Sequence, residues 1–162
     1  MIYFWDYYKY CKGSESTLTR YCMNSSDGIV DGKTELDSGD DVATAKWGNG
    51  WQMPDVYQLN ELLNVNNISL RIASLAGVEG TLIISKSNGK KMFLPWGGGF
   101  IGLAGIGAGL TGEYWSRSLN TNNSNEAYSL SIYDAKSSRT ESNRRYEGLC
   151  VRPVRISNSK ER

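Results

Sequence analysis

The stretch Ala127-Tyr128-Ser129-Leu130-Ser131-Ile132-Tyr133 alternates with period two: Tyr128, Leu130 and Ile132 share one parity, and Ala127, Ser129, Ser131 and Tyr133 take the other. That period describes a β-strand with one face in a core and one in solvent. The stretch sits in the chain's last quarter, Tyr114 to Arg155. Strands are expected at 114–118 and 126–134, with a third at Arg139–Thr140 and a last one at 149–154. On this reading the inward set, with Trp115 and Val151, holds the scaffold. The outward set is free to carry recognition chemistry.

Just upstream, Gly97 to Gly112 carries eight glycines in sixteen residues, interleaved with Phe100, Ile101, Leu103, Ile106 and Leu110. This predicts a long loop, packed through its apolar side chains and bent freely at its glycines. Its first six residues fit the pattern G-x-G-x-x-G, but the glycines at 105, 107, 109 and 112 deny the helix on which pyrophosphate binding depends. The segment is also only about half a bilayer span, so membrane insertion is not expected.

Further upstream, Asp40 to Trp47, acid at its start and stopped by Gly48, reads as a short helix. Asp55 reads as an N-cap with Gln58 in a capping-box position, followed by the apolar stripe Val56, Leu59, Leu62 and Leu63 and an end near Asn64. Asn88-Gly89 between Thr81–Lys86 and Lys90–Pro95 is a hairpin signal. Residues 1–36, with turns at Asp27-Gly28 and Asp31-Gly32, read as short strands and loops. Residues 156–162 read as a polar tail on a single domain, 1–155.

Composition excludes much chemistry. The 162 residues carry 18 basic and 17 acidic side chains, a net charge of +1, so nothing steers the chain to nucleic acid or to an acidic membrane. There is no histidine, which rules out Ser/His/Asp and Cys/His triads and two-histidine metal sites. Ten Tyr and five Trp suit either a core or a binding surface. Of the three cysteines, Cys11 and Cys22 flank a Gly/Ser/Thr-rich segment that a disulfide would clip in an oxidising compartment, and free thiols are the other reading. Cys150 reads as a small buried hydrophobe. Asp27, Asp31, Asp37, Asp40 and Asp41 lack EF-hand spacing, and turns and helix capping account for most of them. Met1 to Tyr10 lacks the basic start and cleavage site of a signal peptide, so the chain is expected to be cytosolic or a module of a longer exported protein.

Four ordered segments carry a family resemblance: Trp47-Gly48-Asn49-Gly50-Trp51-Gln52-Met53-Pro54, Phe93-Leu94-Pro95, Gly112-Glu113-Tyr114-Trp115-Ser116, and Tyr146-Glu147-Gly148 with Val151-Arg152-Pro153-Val154-Arg155. They are similar to the C-terminal modules of surface proteins from Bacteroides-type gut bacteria, the paralogous-domain group with a C-type-lectin-like fold. The likeness covers about residues 5–155, and the run from Tyr10-Cys11 to Tyr21-Cys22 adds to it. It implies an α+β domain with two helices, small twisted antiparallel sheets and long structured loops.

Members begin with a strand that lies beside the C-terminal strand; here that place falls to Ile2–Trp5 or to a segment outside this chain. Trp96-Gly97-Gly98-Gly99-Phe100 replaces the family's usual Ala-Ala-Gly-Tyr-Arg, so a different loop is expected there. The related formylglycine-generating enzymes use a cysteine pair that is not matched, so no catalysis is carried over. Met53-Pro54-Asp55 only loosely resembles the calcium triplets of sugar-binding lectins, since Asp55 already serves as a helix cap.

Some modules of this group are targets of diversity-generating retroelements. Alignment on Val151-Arg152-Pro153 puts Ser129, Ser131, Tyr133, Arg139, Glu141, Asn143, Arg144, Glu147 and Leu149 at the positions that vary. Adenine-only changes cannot turn an Asn codon into Glu, so Glu141 and Glu147 argue against active diversification, while the binding face is kept. The resemblance therefore implies an adhesin-like, non-catalytic module on a cell or virion surface. It would bind a protein or glycan of another cell or phage host, with Tyr133 as anchor, Arg139, Glu141 and Arg144 as charged contacts, and Ser129, Ser131, Asn143 and Glu147 completing the set. The alternatives are an assembly module of a surface fibre or oligomer and an enzyme remnant on the same fold. No cofactor, metal ion or nucleic acid is expected.

Overall fold

Two aspartates start the two α-helices of the described residues. The Asp41 carboxylate, fully buried, accepts from the backbone N–H groups of Ala43 and Thr44 and so opens α1 (Val42–Trp47). It also accepts from Met53 N at 2.9 Å, which ties the helix to the chain beyond it. Asp55 opens α2 (Val56–Leu62) with the reciprocal capping box to Gln58. The helix ends at Leu62, slightly short of the expected Asn64. The computed structural model describes residues 1–156, so all of the predicted polar tail except Ile156 lies outside the described residues.

Among the described residues the rest is α+β architecture built from four small antiparallel sheets. β1 (Trp51–Gln52) pairs with β11 (Val154–Arg155). β2 (Ile68–Leu75), β3 (Val78–Ser85) and β4 (Lys91–Pro95) form a meander. β5 (Gly99–Ile101), β6 (Ala104–Ile106) and β10 (Gly148–Leu149) form the order β10-β5-β6. β7 (Gly112–Leu119), β8 (Glu126–Ile132) and β9 (Arg139–Arg144) form the last sheet. The Asn88-Gly89 hairpin stands where its turn residues place it. β2 is an addition to the expected elements, joined to β3 through Ala76-Gly77, both in the left-handed region at φ 52° and 80°.

The main core lies between α2 and the β2–β3–β4 and β7–β8–β9 sheets. It joins Leu59, Ile68, Ile83, Leu94, Tyr114, Leu130 and Ile132. Leu130 and Ile132 thus point inward as their parity predicts. Tyr128, of the same parity, does not: it is only half-buried and lines a side cleft with Tyr57 and Thr140. Trp115 is also half-buried, at the margin of a smaller cluster around Tyr21, Leu119 and Ala127.

The first forty residues are mostly irregular and are fixed by polar contacts. Trp5–Tyr7 is a single 3-10 turn. Ile2–Trp5 does not form the expected strand beside the C-terminal strand. Tyr3 makes one antiparallel bridge, to Gly102, and β11 takes β1 as its partner instead. The deepest of these contacts is Arg145, only 6% exposed, whose guanidinium donates to Tyr8 Oη and to the carbonyls of Arg20, Tyr21 and Ser124 at 2.7–3.1 Å. Cys11, Cys22 and Cys150 are free thiols. Cys11 Sγ donates to Trp5 O at 3.0 Å and Cys22 Sγ to Asn24 O at 3.1 Å, while Cys150 is half-buried rather than enclosed.

The Gly97–Gly112 segment is a hairpin, not a packed loop. Its glycines are needed where backbones meet: a Cβ on Gly98, at φ 61°, would lie 2.1 Å from Ile106 O. Its apolar side chains do not pack inward. Leu103 is 76% exposed and Leu110 68%, and Phe100, Ile101 and Ile106 are exposed as well.

Candidate functional site

The register of the β7–β8–β9 sheet decides which C-terminal residues meet. Glu113 lies opposite Ser131, and Ser131 opposite Arg139; Trp115 lies opposite Ser129, and Ser129 opposite Glu141. Paired residues share a face. Glu113, Ser129, Ser131, Arg139, Glu141 and Asn143 therefore stand on the face turned away from Leu130 and Ile132.

On that face the serines are covered. Ser129 is 0% exposed and Ser131 8%, so the outward display expected from their parity does not hold. Their short side chains make room for longer ones. Ser131 Oγ donates to Glu113 Oε1 at 2.9 Å, and Asn143 Nδ2 donates to Ser129 Oγ at 2.8 Å.

The β10–β5–β6 sheet borders this face. Leu149 pairs with Gly99 and Gly99 with Ile106, so Leu149 and Ile106 share a side. Where the two sheets meet lies a pocket of about 170 Å³. Glu113, Glu141, Asn143, Glu147 and Thr111 are its polar lining, and Ile106 and Leu149 its apolar lining.

Two of the three carboxyls that line this pocket, Glu113 and Glu147, are raised. Burial chiefly raises the Glu113 carboxyl above its ordinary value; Glu141 adds to this, while Ser131, Thr111 and Arg139 pull against it. Glu113 Oε2 is buried and has no hydrogen-bond partner among the described residues. Glu147 is raised as well, again chiefly by burial, with Glu113 and Glu126 adding and Arg144 opposing. Arg139 forms an ion pair with Glu141 at 2.7 Å.

Protein-family models, curated proteins and solved structures were compared with this chain, and none matches it.

Of the residues singled out by the sequence, Glu141, Asn143 and Glu147 line this pocket together with Leu149. Arg139 joins them through its ion pair. Ser129 and Ser131 lie beneath the longer side chains as supports. Arg144 falls on the opposite parity of β9 and pairs with Glu15 at 3.2 Å. Tyr133 is held elsewhere: its ring stacks on Trp96 and its carbonyl accepts from Thr81 Oγ1 at 2.6 Å. Glu113 is the residue that sequence reasoning passed over, because only the register of β7 on β8 brings it here.

The early aspartates are taken up by protein donors. Asp31 accepts from Tyr21 N and Cys22 N at 2.8–2.9 Å. Asp37 and Asp40 pair with Arg20, and Asp37 also with Lys33. Among the described residues no group of three or more His, Cys, Asp or Glu side chains is arranged to hold a metal ion, and no helix is long and apolar enough to cross a membrane. A wider cleft of about 650 Å³ between α2 and the end of the β2–β3 pair is lined by Gln58, Glu61, Asn66 and Lys86, and holds none of the residues singled out above.

Proposed function

We propose that this chain is a non-catalytic recognition module with a C-type-lectin-like fold, displayed on a cell or virion surface, that binds a protein or glycan through the outer face of its last sheet. The observation that carries the reading is the meeting of Glu141, Asn143 and Glu147, three of the residues marked out in the C-terminal stretch, at one pocket backed by a packed sheet. Rigid elements hold contact residues at low entropic cost, which suits binding.

The fold assignment is supported by how the four family-like segments touch. β1 pairs with β11, and the Tyr114 hydroxyl donates to Pro95 O at 2.6 Å; directly beside the segments, Cys150 bridges Tyr114 and Arg117 N donates to Pro54 O at 2.9 Å.

The test is binding of the purified domain to arrays of surface glycans and proteins, beside a Glu141→Ala/Asn143→Ala/Glu147→Ala variant. Loss of binding with an unchanged melting temperature supports the reading. Binding that survives in the variant places the site on another surface. The exposed apolar side chains of the β5–β6 hairpin favour a second reading, an assembly module, for which concentration-dependent oligomers in solution are the expected sign.

A further inference from the structure

We propose that the acidic pocket and the apolar sheet face beside it dock a protein segment in which a lysine or arginine is flanked by apolar residues. This deepens the recognition reading and rests on it.

The apolar half of the surface is the side of β10–β5–β6 that carries Leu149 and Ile106, with Ile101 on the same parity as Gly99. Ile106 is 44% exposed and Ile101 37%. From Trp96 to Thr111 the chain has no charged residue, so covering this hairpin desolvates no charge.

The other half is negative. Glu113, Glu141 and Glu147 face one pocket, while Arg139 is the cation paired there and Arg144 is engaged with Glu15. The buried Glu113 Oε2 has no donor among the described residues. A cation that enters the pocket supplies the positive charge that its three carboxylates, with Arg139 alone paired among them, leave uncompensated.

Size and shape choose among ligands. About 170 Å³ is less than the roughly 300–1,000 Å³ of small-molecule sites, and suits one long side chain. Lysine and arginine have apolar stems that lie along surfaces such as Ile106 and Leu149 while their heads reach a carboxylate. A neutral sugar brings hydroxyl donors but no charge, and would leave the surplus carboxylates desolvated and unpaired. The charge complementarity therefore favours a protein partner over a glycan.

The test is selection from a displayed random-peptide library on the intact domain, followed by affinity measurement with the enriched peptides as synthetic probes. Peptides with Lys or Arg between apolar residues should be enriched. Their binding should fall at least about tenfold in Glu113→Gln/Glu141→Gln/Glu147→Gln, equivalent to about 1.4 kcal/mol, and should weaken as salt is raised. Ile106→Ser should weaken it too. If the triple variant does not fold, Glu141→Gln alone, together with NMR shift mapping of the pocket, reads the same question.

Enrichment of peptides without a basic residue, affinities indifferent to the Gln changes, or no enrichment at all would each overturn the proposal. Glycan-array binding lost in Glu141→Ala/Asn143→Ala/Glu147→Ala, with no peptide enriched, would sink this inference and leave the recognition reading standing. Array binding that survives in that variant would sink both.

Discussion

The ring of Tyr133 lies on that of Trp96, centroids 4.7 Å apart and planes at 28°. Trp96 Nε1 donates to Thr81 Oγ1 at 3.0 Å, and Thr81 Oγ1 donates to the Tyr133 carbonyl. The three residues join the β2–β3–β4 meander to the end of β8. Tyr133 is thereby a joint of the scaffold, and it stands apart from the pocket that Glu141, Asn143 and Glu147 line.

Tyr133→Ala is expected to cost about 2 kcal/mol of stability, for the loss of a half-buried aromatic contact. Tyr133→Phe keeps the ring and should retain most of it. Chemical denaturation of both variants checks this, and a Tyr133→Ala protein as stable as the parent would contradict the assigned role.

Glu113 predicts a pH signature. Its carboxyl is raised chiefly by burial, with Glu141 adding and Arg139, Ser131 and Thr111 opposing, so the folded protein holds that proton to higher pH than the unfolded chain. The stability this contributes is fully present below about pH 4, the ordinary glutamate range, and is lost as pH rises through the folded value. Glu113→Gln should therefore match the parent near pH 4 and exceed it in stability at pH 7. Thermal melts across that window decide it; a variant less stable at pH 7 would show that the charge is compensated.

Asp40 has the opposite sign. Burial works against its charge, but the hydroxyls of Tyr10 and Tyr21, with Lys9 and Arg20, outweigh it and lower its pKa to about 2. Its contribution is present above about pH 4 and fades as pH falls through about 2. Asp40→Asn should be less stable than the parent at neutral pH, and the gap should close toward pH 2. A gap that stays constant with pH would locate the effect in packing instead of charge.

What could be read in the sequence was what local chemistry specifies. Asp41 and Asp55 announce their helices because a cap acts within one turn, and Asn88-Gly89 announces its hairpin for the same reason. β2 was harder to see: Ile68, Leu70 and Ile72 do alternate, but Ala76-Gly77 is a weaker turn signal, with alanine held at φ 52°. The glycine-rich hairpin depends on Leu149 and Gly148, some fifty residues away, for its third strand. The burial of Ser129 and Ser131 is nonlocal too, since the side chains that cover them come from β7 and β9. Arg144 stands apart from the pocket for a simpler reason. Once β9 runs Arg139–Arg144, its even number puts it on the other face from Glu141 and Asn143.

Arg145 bears on how the chain assembles during synthesis. Its guanidinium holds the carbonyls of Arg20 and Tyr21 and the hydroxyl of Tyr8, partners 124 to 137 positions earlier in the chain. A ribosome delivers those partners first, and they must wait until nearly the whole domain has emerged before their clasp arrives. The first forty residues have little regular structure of their own, and a nascent chain stopped short of Arg145 would lack the donor that holds Tyr8, Arg20 and Tyr21.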